Sequence, residues 1–398
     1  MTATTDVLPS RAIEKYLSGL TSKDLLLGLS WDEWLEVGAP YREVPYSRER
    51  VVARYSRNGY DWDIHGTVFT PEKEVDSGIA FVVCHGTNGS ECNMDLTPDG
   101  RPGMARVLAS QGFKILTLTY PGHYGPGVNG AWIDPVENRL PRYLDDRELS
   151  KEEIQDRLLK CTFDTNIQGV ALLADTHLAG RRVIGTNGPM SGRLPSFLKK
   201  TRLVGMTSAY GHGGTDGWRL EWRNKYGLDS AKGYAIDDIQ RKTPKTFRAS
   251  GYENDKDLTP WGRAEDYIKN VSVMRSQLKS SLCVNQHDAM LDKIEKYRKR
   301  TGLPRGEYFD YLNPPRPDDL KKQAVLMLVG EKDKKHWIYG DSLEQKREYF
   351  MATKYAEHSP RVHVVLLPRH GHAGHGELHN EKSVYLWLWA HKAGYFTL

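Results

Sequence analysis

Short runs of uninterrupted apolar residues, alternating with stretches of helical spacing, constrain this chain more than any other feature. The first is Ile79 to Val83, and similar runs, with Lys114, Thr117, Arg182 and His363 as their polar members, follow at Phe113 to Leu118, Arg182 to Ile184, Leu203 to Met206, Ala324 to Val329 and Val362 to Leu367. Most of them break into a glycine or a proline. A strand that carries apolar side chains at every position is buried on both faces, which is the signature of a parallel sheet between layers of helix. Helical candidates fall at 102–111, 163–179, 189–200, 342–357 and 381–393. The alternation predicts an α/β fold, with a mostly parallel central sheet flanked by helices. Sheets of this kind bind ligands beyond the carboxyl ends of their strands, so the loops that follow these runs are where chemistry is expected.

The rest of the chain frames this core. Residues 10–37 have helical spacing (Ile13, Leu17, Leu20, Leu25, Leu26, Trp31, Trp34, Leu35) and end at Gly38 and Pro40, which predicts a helical N-terminal extension over 1–50. From Val51 to Phe69 the residues alternate around Asn58-Gly59, a dipeptide that favours a tight hairpin turn. The core is then expected over 51–211 and 319–398, interrupted by a segment 212–318. That segment has no comparable apolar strand but carries Trp218, Trp222, Tyr226, Trp261, Tyr267 and Tyr308 at helix-compatible spacing. It reads as an inserted helical lid.

Composition narrows the function classes. With 56 Lys+Arg against 51 Asp+Glu in 398 residues, the net charge of +5 is diffuse and gives no basic surface for nucleic acid. No apolar stretch reaches the roughly 20 residues that cross a bilayer, and the first residues lack the basic-then-apolar pattern of an export signal. Cys84, Cys92, Cys161 and Cys283 are too few and too scattered for a disulfide framework or a zinc site of paired Cys-x-x-Cys. The expectation is a cytoplasmic protein with reduced thiols and a small-molecule substrate, with no nucleic acid, membrane, metal or organic cofactor; a homo-oligomer is admitted.

Three features lie at strand ends. His85-Gly86-Thr87-Asn88-Gly89-Ser90 follows the first apolar run, and its glycines let backbone N–H groups face a developing oxyanion. Gly185-Thr186-Asn187-Gly188-Pro189-Met190-Ser191-Gly192 forms a strand-to-helix turn. Asp333 follows the Ala324 strand, and His370, His372 and His375 follow the last one. An acid that orients a histidine, with the histidine as general base, is what nucleophilic catalysis needs.

In this order the chain resembles the α/β-hydrolase superfamily. There a His-Gly loop follows the third strand, a Gly-x-Ser-x-Gly elbow follows the fifth, an acid follows the seventh and a histidine follows the last. His85-Gly86-Thr87, Thr119-Tyr120-Pro121-Gly122-His123, Gly330-Glu331-Lys332-Asp333 and His370-Gly371-His372 occupy matching places, and 212–318 falls where that family inserts its lid. The resemblance implies Asp333 as orienting acid and His372 as base. It also implies an oxyanion hole at Gly86, Thr87 and Gly188, and substrate contacts from His85, His123, Tyr124, Trp218 and Trp222.

The departure is at the elbow, where Asn187 stands in the serine position and Pro189 where a glycine is usual. An amide side chain is not a nucleophile. Ser191 serves if the turn is longer than aligned. Alternatively, Asn187 holds substrate while the His372 and Asp333 pair moves protons, as in a lyase, isomerase or cyclase, or Asn187 stands for an aspartate. A non-catalytic small-molecule-binding protein is the remaining reading. The histidine cluster invites a metal reading as well, but no Asp-bearing or Glu-bearing ligand motif accompanies it, so a single working histidine is the simpler expectation. Cys84 lies within its strand, where a thiol is expected to be buried and inert.

Overall fold

The computed structural model describes residues 26–28, 44–85, 91–95, 102–121, 143–144, 147–148, 163–186, 194–195, 197–209, 324–330, 361–367, 369–370, 383–384, 387–388, 390–391, 394 and 396–398. The expected lid (212–318) and the helical candidate at 342–357 lie outside them.

The hairpin forms as expected. Strands β2 (Tyr46–Arg57) and β3 (Tyr60–Pro71) pair in antiparallel register with Arg57 opposite Tyr60. The two residues between them, Asn58 and Gly59, have φ of 54° and 80°, the left-handed values that a two-residue turn needs to match strand twist. The apolar runs become β4 (Ile79–Val83), β5 (Lys114–Thr119), β8 (Arg182–Thr186), β9 (Arg202–Ala209), β10 (Ala324–Gly330) and β11 (Arg361–Leu367). Among them lie α1 (Cys92–Asp95), α2 (Met104–Ser110) and α3 (Phe163–His177). A separate two-stranded ribbon pairs β6 (Tyr143–Leu144) with β7 (Arg147–Glu148).

Together with β1 (Leu26–Gly28), these strands make one nine-stranded sheet in the order β1-β11-β10-β9-β8-β4-β5-β3-β2. Every neighbouring pair is parallel except β3 with β5 and β3 with β2, so β3 alone runs against the others. The architecture is therefore α/β with a mostly parallel sheet, and helices cover both faces. Alternation along β4 shows this directly. Ile79, Phe81 and Val83 pack with Met104, Ala105 and Leu108 of α2 and with Trp387 and Leu388 of the C-terminal helical residues, while Ala80, Val82 and Cys84 pack with Ile167, Val170 and Leu173 of α3. All five β4 residues are buried, which is the reason the run tolerates no polar residue.

Two expectations need correction. Within the 10–37 stretch of helical spacing the described residues Leu26–Gly28 are instead a strand, paired in parallel with Val364–Leu366 of β11, and β2 begins at Tyr46, ahead of the expected core start at 51. A contiguous leucine run satisfies strand and helix periods alike, and the unpaired edge of β11 decides in favour of the strand. The helix expected over 189–200 is, in its described part, only a short 3₁₀ turn at 194–195 followed by turn and bends.

Candidate functional site

Because eight strands run the same way, the carboxyl ends of β4, β5, β8, β9, β10 and β11 share one edge of the sheet. The chain leaves β4 toward β5 on one side and leaves β8 toward β9 on the other, although β4 and β8 are themselves neighbours, with Val83 opposite Thr186. In open α/β sheets a ligand crevice is expected where successive connections diverge in this way, here over the ends of β4 and β8.

Counted from β2 within the large sheet, β4 is the third strand, β8 the fifth, β9 the sixth, β10 the seventh and β11 the eighth. These are the places that the resemblance implies for the His-Gly loop, the elbow, the insertion, the acid and the histidine. Thr186 is the last residue of β8, so Asn187 is the first residue beyond the strand; Gly330 ends β10 three residues before Asp333, and Leu367 ends β11 five residues before His372. β10 and β11 are adjacent, with Gly330 opposite Leu367. Gly86, Thr87, His123, Tyr124, Asn187, Gly188, Ser191, Trp218, Trp222, Asp333 and His372 themselves lie outside the described residues.

The described residues around the crevice are heavily buried. His85 is fully buried; its Nε2 accepts a hydrogen bond from the Tyr120 backbone N–H at 3.1 Å, and its ring lies 4.1 Å from the Tyr120 ring. The sequence suggested a substrate contact for His85; among the described residues its ring packs on Tyr120 and ties the exit of β4 to that of β5. Cys84 is also fully buried, and burial pushes its thiol up to about 12, in keeping with the inert role expected of it. Burial likewise raises the Tyr120 hydroxyl well above the ordinary phenol value.

The end of β8 is fixed from two sides. The Thr186 carbonyl accepts from the Cys84 N–H at 2.8 Å, and the Thr186 hydroxyl donates to Met104 Sδ at 3.2 Å. Beyond β11, Arg369 adopts φ 65°, a left-handed conformation that a bulky side chain rarely takes. Non-glycine residues in this region cost on the order of 1–3 kcal/mol and cluster at functional sites. His370, one of three histidines that the sequence left open as base, follows Arg369 and is fully buried.

Sequence reasoning missed Glu91. This carboxylate is 1% exposed, is paired with Arg50 of β2 and accepts from the Thr117 hydroxyl of β5 at 2.9 Å, while its own N–H donates to Thr119 Oγ1 at 3.2 Å. Its carbonyl accepts from the N–H groups of Met94 and Asp95 in α1, and Asp95 is bridged by Arg48 and Arg106. A lone acid after a glycine-rich stretch has no periodicity to betray it; the one available hint was its place just past the His-Gly loop.

No protein-family model matches the chain, and no curated protein matches it. Solved structures similar to it include a probable hydrolytic enzyme from Pseudomonas aeruginosa, at 15% identity over 94% of this chain and 100% of that one, with a TM-score of 0.47. Proline iminopeptidase from Mycobacterium smegmatis is similar at 15% identity over 86% of this chain and 98% of that one, with a TM-score of 0.45. A highly thermostable carboxyl esterase from Bacillus coagulans is similar at 8% identity over 86% and 97%, with a TM-score of 0.40. Likeness this distant brings no reaction with it, and the functional reading rests on the chain's own strand order and residues. Among the described residues no helix is long and apolar enough to cross a membrane.

Proposed function

We propose that this chain is a hydrolase acting on an ester, amide or C–C bond of a small organic molecule held between the crevice and segment 212–318. One observation supports the reading: the exits of β4, β8, β10 and β11 share one edge of the sheet, and His85-Gly86-Thr87, Asn187-Gly188, Asp333 and His372 follow those strands in the sequence. In this reading Asp333 orients His372, and His372 takes a proton from the nucleophile and returns it to the leaving group. Backbone N–H groups of Thr87 and Gly188, with Gly86 beside them, stabilise the oxyanion. The nucleophile is Ser191, or a water that His372 activates beside Asn187. His123, Tyr124, Trp218 and Trp222 contact the substrate.

A second reading is favoured by the position of Asn187 directly after Thr186, where the elbow serine would stand. In it no acyl-enzyme forms, and the histidine serves a lyase, isomerase or cyclase.

Turnover of a panel of p-nitrophenyl esters and anilides by wild type, His372→Ala and Asp333→Asn tests the proposal, with a fluorophosphonate probe to report on Ser191. The expected loss of kcat is about 10³-fold or more for His372→Ala. Labelling at Ser191 supports the serine route, and absence of label with His372-dependent turnover supports water activation. Undiminished turnover by His372→Ala would overturn the reading.

A further inference from the structure

A single row of residues crosses the sheet level with the carboxyl end of β8. In register it runs through Thr67 of β3, Thr117 of β5, Val83 of β4, Thr186 of β8, Thr207 of β9, Leu326 of β10 and His363 of β11. Residues opposite one another in register share a face of the sheet, and here it is the face that α2 covers, since the Thr186 hydroxyl reaches Met104 Sδ. The other polar side chains of the row are paired. Thr67 Oγ1 accepts from Arg50 at 3.3 Å, the Thr117 hydroxyl donates to Glu91 at 2.9 Å, the Thr186 hydroxyl donates to Met104 Sδ at 3.2 Å, and His363 Nδ1 accepts from Trp387 Nε1 at 2.7 Å. Thr207 is different: it is 1% exposed, and its hydroxyl finds no hydrogen-bond partner among the described residues.

Taking a hydroxyl out of water without replacing its hydrogen bonds is unfavourable, and a valine of nearly the same shape would fill the position without that cost. Threonine here is a loss to the fold unless a bound molecule supplies the missing partner. The surroundings limit what that partner is. Gly205, two residues earlier on the same face, lies against Trp387 and Leu398, since an added Cβ would come within 3.0 Å of each. The described side chains that close over Thr186 and Gly205, the neighbours of Thr207 on this face, are thus a thioether, an indole and an aliphatic chain, with no charged group among them. Such surroundings strongly disfavour a full charge. They suit a neutral oxygen, which can accept from the threonine hydroxyl or donate to it. The position also suits a ligand, because Thr207 stands opposite Thr186, the last residue of β8, at the edge where open α/β sheets bind.

We propose that Thr207 Oγ1 binds one neutral oxygen of a small molecule, either a water in the free protein or a hydroxyl or carbonyl oxygen of the substrate. The substrate source rests on the hydrolytic reading; the water source does not.

The test uses the full chain and two comparisons that each remove the hydroxyl: wild type against Thr207→Val, and Thr207→Ser against Thr207→Ala. In urea denaturation, a hydroxyl that holds a water makes the unfolding constant of Thr207→Val about 5-fold larger than that of wild type, and that of Thr207→Ala larger than that of Thr207→Ser in the same proportion. With the p-nitrophenyl ester that wild type turns over fastest, a hydroxyl that holds substrate makes KM of Thr207→Val rise by about 5-fold or more while kcat changes less, and Thr207→Ser recovers most of that rise. Either result supports the proposal and identifies the source of the oxygen. If Thr207→Val does not fold, the Ser and Ala pair decides. An unfolding constant that is equal or smaller without the hydroxyl, together with an unchanged KM, overturns the proposal. If wild type turns over no ester or anilide, the hydrolytic reading fails, and the denaturation result alone decides whether Thr207 holds a water.

Discussion

The Tyr120 backbone N–H donates to His85 Nε2 at 3.1 Å, in a region where both residues are fully buried. An acceptor at Nε2 leaves the ring proton on Nδ1, so this imidazole is committed to a single tautomer by the neighbouring strand exit. Replacing it with Ala removes a packed ring and orphans a buried N–H, at an expected cost of about 2–4 kcal/mol in urea denaturation. His85→Gln, whose amide oxygen reaches about as far as Nε2, should recover a good part of that. Equal losses for both substitutions would show that the ring's bulk matters and its acceptor does not.

Alkali should weaken the fold through Cys84. An ordinary thiol ionises near 9.0, whereas burial pushes this one up to about 12. Its folded value is raised, so the folded state keeps a proton that the unfolded state gives up, and stability falls as pH rises from about 9 to about 12. The loss grows by about 1.4 kcal/mol per pH unit in that window, to about 4 kcal/mol at most. Urea midpoints at pH 7.5 and pH 10 should separate further for wild type than for Cys84→Ala; identical separations would refute the assignment. In native protein at pH 8 the Cys84 peptide should stay unmodified by iodoacetamide, and it should react once urea unfolds the chain.

Two glycines should respond differently to alanine. At Gly66 an added Cβ would lie 2.4 Å from the Thr117 carbonyl oxygen, a backbone atom that cannot step aside, and the expected cost is about 3 kcal/mol. At Gly59 nothing lies within 4 Å, but φ is +80°, so strain alone should cost about 1 kcal/mol. Thermal melts of the two variants check the order.

Asp175 sits in the last turn of α3, where a negative charge opposes the helix dipole. Its carboxylate is compensated by the N–H groups of Lys199, Lys200 and Thr201 and by the Thr201 hydroxyl, all at 2.7–2.8 Å. Asp175→Ala strands these donors at the start of β9 and should cost about 2–4 kcal/mol, against much less for an exposed carboxylate such as Asp61. Chemical denaturation of the two variants compares them.

What the sequence disclosed follows from the physics of each element. β4, β5, β8, β9, β10 and β11 were legible because a strand buried on both faces is mostly apolar, with its few polar residues at its ends or as threonines and a histidine, and the β2–β3 turn was legible because Asn58-Gly59 suits left-handed backbone. Leu26–Gly28 was not, since its pairing with β11 is a tertiary choice that local spacing does not encode. His85 was placed at its strand exit by the motif, but its contact with Tyr120 was not legible, because that pairing joins two strands and no local spacing encodes it. Glu91 was invisible because its partners, Arg50, Thr117 and Thr119, come from two strands distant in the chain.

The two rims of the sheet have a consequence for how the chain behaves in a crowd. Among the described residues, β1 offers three at one end; at the other, β2 runs for twelve but carries Arg48, Glu49, Arg50, Arg54 and Arg57, with Val52 as its one strongly exposed aliphatic side chain. Brevity on one side and charge on the other deny a foreign strand a template to extend. Concentrated solutions of the folded molecule should therefore resist fibril growth by strand addition.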